Sequence, residues 1–315
     1  MNHSKSARIK SAKYTHSAIN MPGYLKAFLK IALSVAALYY VYTKIDLQEV
    51  IQIFRHVNYG WLIAATLLFV ISKVFSSFRL NVFFRGINAG LTEISNLRLY
   101  LLGMYYNLFL PGGIGGDGYK IYLLNKRYQI RAKKLFWAVL LDRINGVLAL
   151  FVLAMAMAPF LPVPVLYKYL AITLIPVSVA AYYLGIRFFF KDFISGISKT
   201  NLLSLAVQIF QLISAWFILY ANHNQDNTIA YLFLFLVSSI VATLPITIGG
   251  IGSREITFLF GAEIMHLDIH LSIALSLLFY VITAIVSLTG IYFSLNEKAL
   301  RLSLVGNQET NAENT

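Results

Sequence analysis

Leu110–Lys120 reads LPGGIGGDGYK, and Leu244–Arg254 reads LPITIGGIGSR. Both fit L-P-x-x-I-G-G-x-G-x-[KR] without a gap, 134 positions apart. Six identities and one Lys/Arg exchange at fixed spacing mark an internal duplication. Neither stretch can be a stable helix interior, because each Gly costs about 1 kcal/mol relative to Ala. Yet each sits between long apolar runs, so the chain places its least helical segments beside its most hydrophobic ones.

Composition explains the setting. The 315 residues are 58% hydrophobic and 12% charged, with a mean hydropathy of +0.70. A soluble domain is about 25% charged, so this chain cannot cover itself with a solvated surface, and an integral membrane protein is expected. The net charge of +13 does not point to nucleic acid, because the basic residues lie in short clusters between apolar spans. Zero cysteines exclude disulfides and thiolate chemistry. Residues 1–24 carry Lys5, Arg8, Lys10 and Lys13 and no acid, as a basic cytoplasmic tail would.

A membrane span needs about 20 mainly apolar residues. Candidates are 25–43, 61–84, 135–158, 167–188, 201–220 and 271–295, with 46–57 a short interfacial helix. Two further apolar regions, 97–125 and 229–266, are interrupted by Gly and Pro. Lys and Arg cluster in 1–30, 79–98, 120–134 and 187–199, which together hold 18 of the 26 basic residues. The positive-inside rule makes these segments cytoplasmic. Segments 159–166, 221–228 and 266–270 hold no Lys or Arg and are expected outside. Both flanks of 97–125 then face the cytoplasm, and both flanks of 229–266 face outward. The expected fold is an all-α polytopic membrane protein with about six full spans and two Gly/Pro-tipped re-entrant hairpins. Residues 25–158 form the first repeat and 166–295 the second, inverted one; 296–315 form a polar cytoplasmic tail. Inverted repeats with Gly/Pro-broken segments in matching positions are a transporter pattern that marks a binding site. Ordinary loops outside the membrane are the alternative for both tips.

Non-helical backbone at membrane depth survives where protein or a polar cavity satisfies it. Gly113, Gly115, Gly116 and Gly118, with Gly249, Gly250 and Gly252 opposite, would offer amides to an anion such as phosphate; close helix packing is the alternative. Lys120 and Arg254 occupy the same motif position and could pair with a phosphate. Asp142 and Arg143 lie within an apolar span, where ionisable residues by default suggest function. Neighbours in sequence do not face each other, so each needs its own partner, from Asp117, Lys120, Arg254 or Glu255. A structural ion pair pinning the hairpin is the alternative. Lys73 is a further candidate, and Arg79 is expected to snorkel to the cytoplasmic interface. Gly113–Gly118 matches G-x-G-x-x-G formally but lies in no βαβ unit. His266, His270 and Glu263 have ligand-like spacing at an outer loop, which is read as interfacial; no metal site, cofactor or catalytic nucleophile is expected.

The ordered series Asn107-x-x-x-Pro111, Gly115-Gly116-Asp117-x-Tyr119, Leu141-Asp142-Arg143 and Pro245 through Gly249-Gly250-x-Gly252-x-Arg254-Glu255 resembles the flippase-like family. That family comprises the transmembrane domain of lysylphosphatidylglycerol synthase/flippase proteins and its stand-alone relatives. The resemblance runs over about 25–295 and adds Asn107 to the candidate substrate-binding residues. It implies a multi-pass protein of the bacterial inner membrane that moves a phosphate-headgroup lipid between leaflets; with the orientation read from the basic clusters, both termini are expected in the cytoplasm. Bifunctional members carry a soluble aminoacyl-transferase domain after the membrane part. Here 20 polar-rich residues follow Leu295, so a stand-alone member is expected and synthase activity is not. The expected partners are anionic or phosphate-headgroup membrane lipids, with no nucleic acid; homo-oligomerisation stays open. An intramembrane lipid-modifying transferase with Asp117 or Asp142 as base is the alternative function, and a non-catalytic membrane scaffold a further one.

Overall fold

The computed structural model describes residues 46–109, 114–222, 226–244 and 252–305, with scattered positions between 32 and 43. The expected first span, both terminal tails and the tips 110–113 and 245–251 therefore lie largely or wholly outside the described residues. Among these residues the regular structure is helical, apart from one isolated antiparallel bridge between Leu91 and Leu304. Five helical stretches are long and apolar enough to cross a membrane: Tyr59–Gly86, Ala132–Phe160, Val165–Phe189, Lys191–Ala221 and Ile269–Leu295.

The first described helix, α1 (Leu47–His56), is amphipathic. Asp46 caps it by accepting from the Gln48 N–H at 2.8 Å, and Glu49 and Arg55 complement its dipole. His270 holds this helix to the rest of the protein: its Nδ1 meets Glu49 at 2.8 Å, and its Nε2 accepts from the Asp46 N–H at 3.0 Å. α2 (Tyr59–Gly86) follows, about 42 Å long at about 1.5 Å per residue. α3 (Glu93–Phe109) and α4 (Gly115–Tyr128) form the first hairpin, and α5 (Ala132–Met157) completes the first half. α6 (Val165–Phe189) packs at the periphery, with most of its large apolar side chains exposed, as a lipid-facing helix requires. α7 (Ile197–Ala221), the second hairpin α8 (Thr228–Thr243) with α9 (Ser253–Met265), and α10 (Ile269–Leu288) complete the second half.

The duplication extends from motif to architecture. Shifted by the motif offset of 134, α3 falls on 227–243, where α8 lies, and α2 falls on 193–220, where α7 lies. α2 and α7 make the most extensive helix–helix contact of the structure. They run antiparallel: the Asn58 N–H at the start of α2 donates to the Ala221 carbonyl at the end of α7 (2.9 Å). At the other end, Gly86 lies against Asp192 and Phe193, just before α7. Repeat-related helices that oppose each other are the relation an inverted repeat demands. The hairpin helices α3, α4, α8 and α9 have 17, 14, 16 and 13 residues. Each falls short of the roughly 20 residues that a crossing needs.

Two larger apolar cores and a small one around Leu150, Ala154 and Leu236 lie among the described residues. One, around Phe69, Phe235, Phe258 and Phe279, gathers α2, α7, α8, α9 and α10. The other, around Leu80, Phe84, Leu99, Leu124 and Leu135, gathers α2 to α5. Residues 300–305 close the second core. Leu300 and Leu302 are buried, the Thr92 N–H donates to the Ser303 carbonyl (3.0 Å), and the Val305 N–H donates to the Gly90 carbonyl (3.0 Å).

Candidate functional site

A polar cavity of about 260 Å³ opens between the two halves. From the first half it receives Lys73, Ser76 and Arg79 of α2, Tyr100 and Asn107 of α3, Asp117 and Lys120 of α4, and Asp142 and Arg143 of α5. From the second it receives Gln208 and Gln211 of α7, Ser239 and Thr243 of α8, and Arg254 of α9. Five of these side chains are basic and two are acidic. Such a surplus of cations, enclosed by apolar helices, attracts an anion, because the low surrounding dielectric leaves charge weakly screened.

Two carboxylates organise the basic side chains. Asp142 accepts from Arg79 Nε at 2.7 Å and from Arg79 Nη2 at 3.1 Å, a bidentate pair. The third Arg79 nitrogen, Nη1, donates to Ser204 Oγ of α7 at 2.8 Å. Ser204 in turn donates to Asn145, whose Nδ2 donates to Asn201 at 2.5 Å. Arg79 thus joins α2, α5 and α7, and a residue expected to snorkel to the interface is 6% exposed. Snorkelling serves a charge with no internal partner; here Asp142 supplies one. Gly146 makes room for this guanidinium, since a Cβ there would lie 3.1 Å from Arg79 Nη1.

Asp117 is shared. It accepts from Lys120 Nζ at 3.0 Å and from Arg143 Nε at 2.5 Å. Lys120 also lies over the Tyr100 ring, 4.7 Å from its centroid. Asp117 and Arg143 are one of the pairings expected from the sequence, and Asp142 finds a different partner from those considered. Across the cavity, Arg254 donates to Ser239 Oγ at 2.8 Å and stacks on Phe235 and Phe279.

The motif glycines have internal tasks. Gly115 begins α4. Gly116 is pressed against the Gly103 carbonyl, which a Cβ would approach to 1.9 Å, and its N–H donates to Asn107 Oδ1 at 2.8 Å. The Gly118 N–H donates to the Ile114 carbonyl at 3.0 Å. Gly252 has φ 85°, which an L side chain rarely adopts, and its N–H donates to Glu255 Oε2 at 2.7 Å. Glu255 also accepts from Ser276 Oγ at 2.8 Å, so it starts α9 and stays outside the cavity lining. Gly249 and Gly250 lie outside the described residues. Asn107, Asp117, Lys120, Asp142, Arg143 and Arg254 of the expected set are brought together; Gly115, Gly116, Gly252 and Glu255 support them from behind.

Sequence reading missed Arg79, Tyr100, Gln208 and Gln211 as cavity residues. A signal existed: Ser204, Gln208 and Gln211 recur at four and three positions within an apolar span, one polar stripe on a helix. A second, open cavity of about 730 Å³ is lined by residues of α1, the start of α10, Asn222, Asp226 and Asn227, and contains His266 and His270.

Comparison with protein families matches the family described as the lysylphosphatidylglycerol synthase TM region, over residues 27–199 and again over 191–290. Comparison with curated proteins finds no match.

Proposed function

Because the chain belongs to the family of the lysylphosphatidylglycerol synthase transmembrane region, a multi-pass family linked to lipid handling, we propose that it translocates a phosphate-headgroup lipid between leaflets. The headgroup enters the polar cavity between the halves while the acyl chains stay in lipid. Alternate opening of the two halves, as in other inverted-repeat transporters, then exposes the headgroup to each side. The observation that carries this reading is the cation-rich cavity between the antiparallel halves, lined by both. Asp117 and Asp142 serve to hold Arg143, Lys120 and Arg79 in place. A carboxylate so engaged is a poor general base, which favours translocation over the transferase reading. The protein is read as lying in a bacterial inner membrane with both termini in the cytoplasm, since its basic clusters favour that side and anionic lipids.

The test is reconstitution of the purified protein in liposomes with headgroup-labelled phospholipids, reading leaflet exchange by chemical quenching. Wild type is expected to exchange lipid, and Arg143→Ala, shown to be folded, to exchange it at least about tenfold more slowly, as loss of a charge-assisted contact implies. Absence of exchange with every phosphate-headgroup lipid, or a new lipid species in the vesicles, would overturn the proposal.

A further inference from the structure

The five cations of the cavity fall into two groups. Arg79 is taken up by Asp142, and Lys120 and Arg143 share Asp117. Lys73 and Arg254 have no carboxylate partner among the described residues. Lys73 Nζ lies 4.4 Å from the Phe69 ring centroid. The Arg254 guanidinium carbon lies 4.9 Å from the Phe279 centroid, and its buried Nε has no acceptor among the described residues. Glu255, next in sequence, is turned toward Gly252 and Ser276.

Aromatic faces orient a cation without neutralising it. A cation turned into an apolar-walled cavity with no counter-charge beside it is costly. Two such cations facing one cavity, beside a carboxylate that already serves two others, leave a place for an anion with more than one charge. Lys73 comes from α2 in the first half and Arg254 from α9 in the second, so one anion touching both bridges the halves. The cavity's 260 Å³ corresponds to about nine waters at about 30 Å³ each, which fits a compact headgroup.

We infer that the cavity selects a lipid headgroup carrying at least two negative charges, a phosphate monoester or diphosphate, over a phosphodiester carrying one. This rests on the reading of the cavity as a lipid-headgroup site. Arg254 would engage the phosphate through its fork of donors, with Lys73 as a point charge on the opposite side.

Native mass spectrometry of the detergent-purified full chain tests it, with equimolar dioleoyl phosphatidic acid, phosphatidylglycerol and phosphatidylethanolamine. Near neutral pH, phosphatidic acid is expected to bind at least about tenfold more tightly than phosphatidylglycerol, since a phosphate monoester approaches two charges there. Lys73→Gln and Arg254→Gln, each checked by size-exclusion elution, are expected to bring that ratio below about threefold by removing one counter-charge. Lowering the pH well below about 6 protonates the monoester and should shrink the wild-type preference in the same way. Equal occupancy by phosphatidic acid and phosphatidylglycerol overturns the inference, as does a preference that both variants retain. Inorganic pyrophosphate, added as competitor, separates the sources of the charge. Its displacement by phosphatidic acid supports a lipid site; pyrophosphate that binds and resists lipid overturns the lipid assignment. Liposome exchange by wild type, measured in parallel, reports on the translocation reading alone.

Discussion

Gly116 and Gly118 belong to the same motif and the same helix, yet their surroundings differ. Gly116 touches the Gly103 backbone, while a Cβ on Gly118 would meet nothing within 4 Å. Gly116→Ala must push α3 and α4 apart, and overpacking of this kind costs about 3 kcal/mol. Gly118→Ala should instead stabilise α4 by about 0.5–1 kcal/mol, since Gly is the poorer helix former. Thermal unfolding of both variants in detergent checks the pair; a Gly116→Ala protein as stable as wild type would remove the packing role assigned here. From sequence the two glycines are equivalent, because close approach depends on what lies across the hairpin. The same limit hid Arg79. Its place in the 79–98 basic cluster pointed to the interface, while its partner Asp142 lies 63 residues away in another helix. Lys120 and Arg254 were legible because the duplication itself aligns them.

At the scale of elements, α9 shows how a helix start positions a functional cation. Gly252 turns the chain with φ 85°, and Glu255 satisfies both the Gly252 N–H and the Ser276 hydroxyl. Glu255→Ala removes the cap and leaves buried donors unpaired, a loss of about 2–4 kcal/mol. Glu255→Gln keeps an acceptor for the Gly252 N–H and a donor for Ser276, and should restore most of it. Because Arg254 sits in the first turn of α9, the alanine variant should also lower lipid occupancy more than the glutamine variant does. Thermal unfolding and native mass spectrometry on the same samples measure both effects; an alanine variant as stable as wild type would show that Glu255 does not cap α9. The hairpins containing these helices were readable from Gly and Pro punctuation and from short apolar length. The strap formed by residues 300–305 was not, because Leu300, Leu302 and Leu304 are too few to announce a buried segment outside its tertiary context.

Over the whole molecule, the clusters of basic residues make a prediction that the helices can carry. Lys133 lies at the start of α5 and Pro162 just beyond its end, both exposed. α5 and the turn after it form a 29-residue apolar stretch, about 43 Å at about 1.5 Å per residue and long enough to cross a hydrocarbon core of about 30 Å. A crossing by α5 would set the two positions on opposite sides. On the positive-inside rule Lys133, in a cluster of six basic residues, is expected on the cytoplasmic side. With no native cysteine, Lys133→Cys and Pro162→Cys each report one position without background. A membrane-impermeant maleimide added to intact cells should label Pro162→Cys and spare Lys133→Cys, and permeabilised cells should label both. The reverse pattern would invert the orientation while leaving the repeat intact. Labelling of both in intact cells would deny that α5 crosses, and with it the antiparallel halves that enclose the cavity. The duplication made this architecture legible from sequence, because one helix order read in two directions fixes where the halves meet. The charge balance at that meeting point was not legible, since it depends on which carboxylate reaches which cation once the halves are packed.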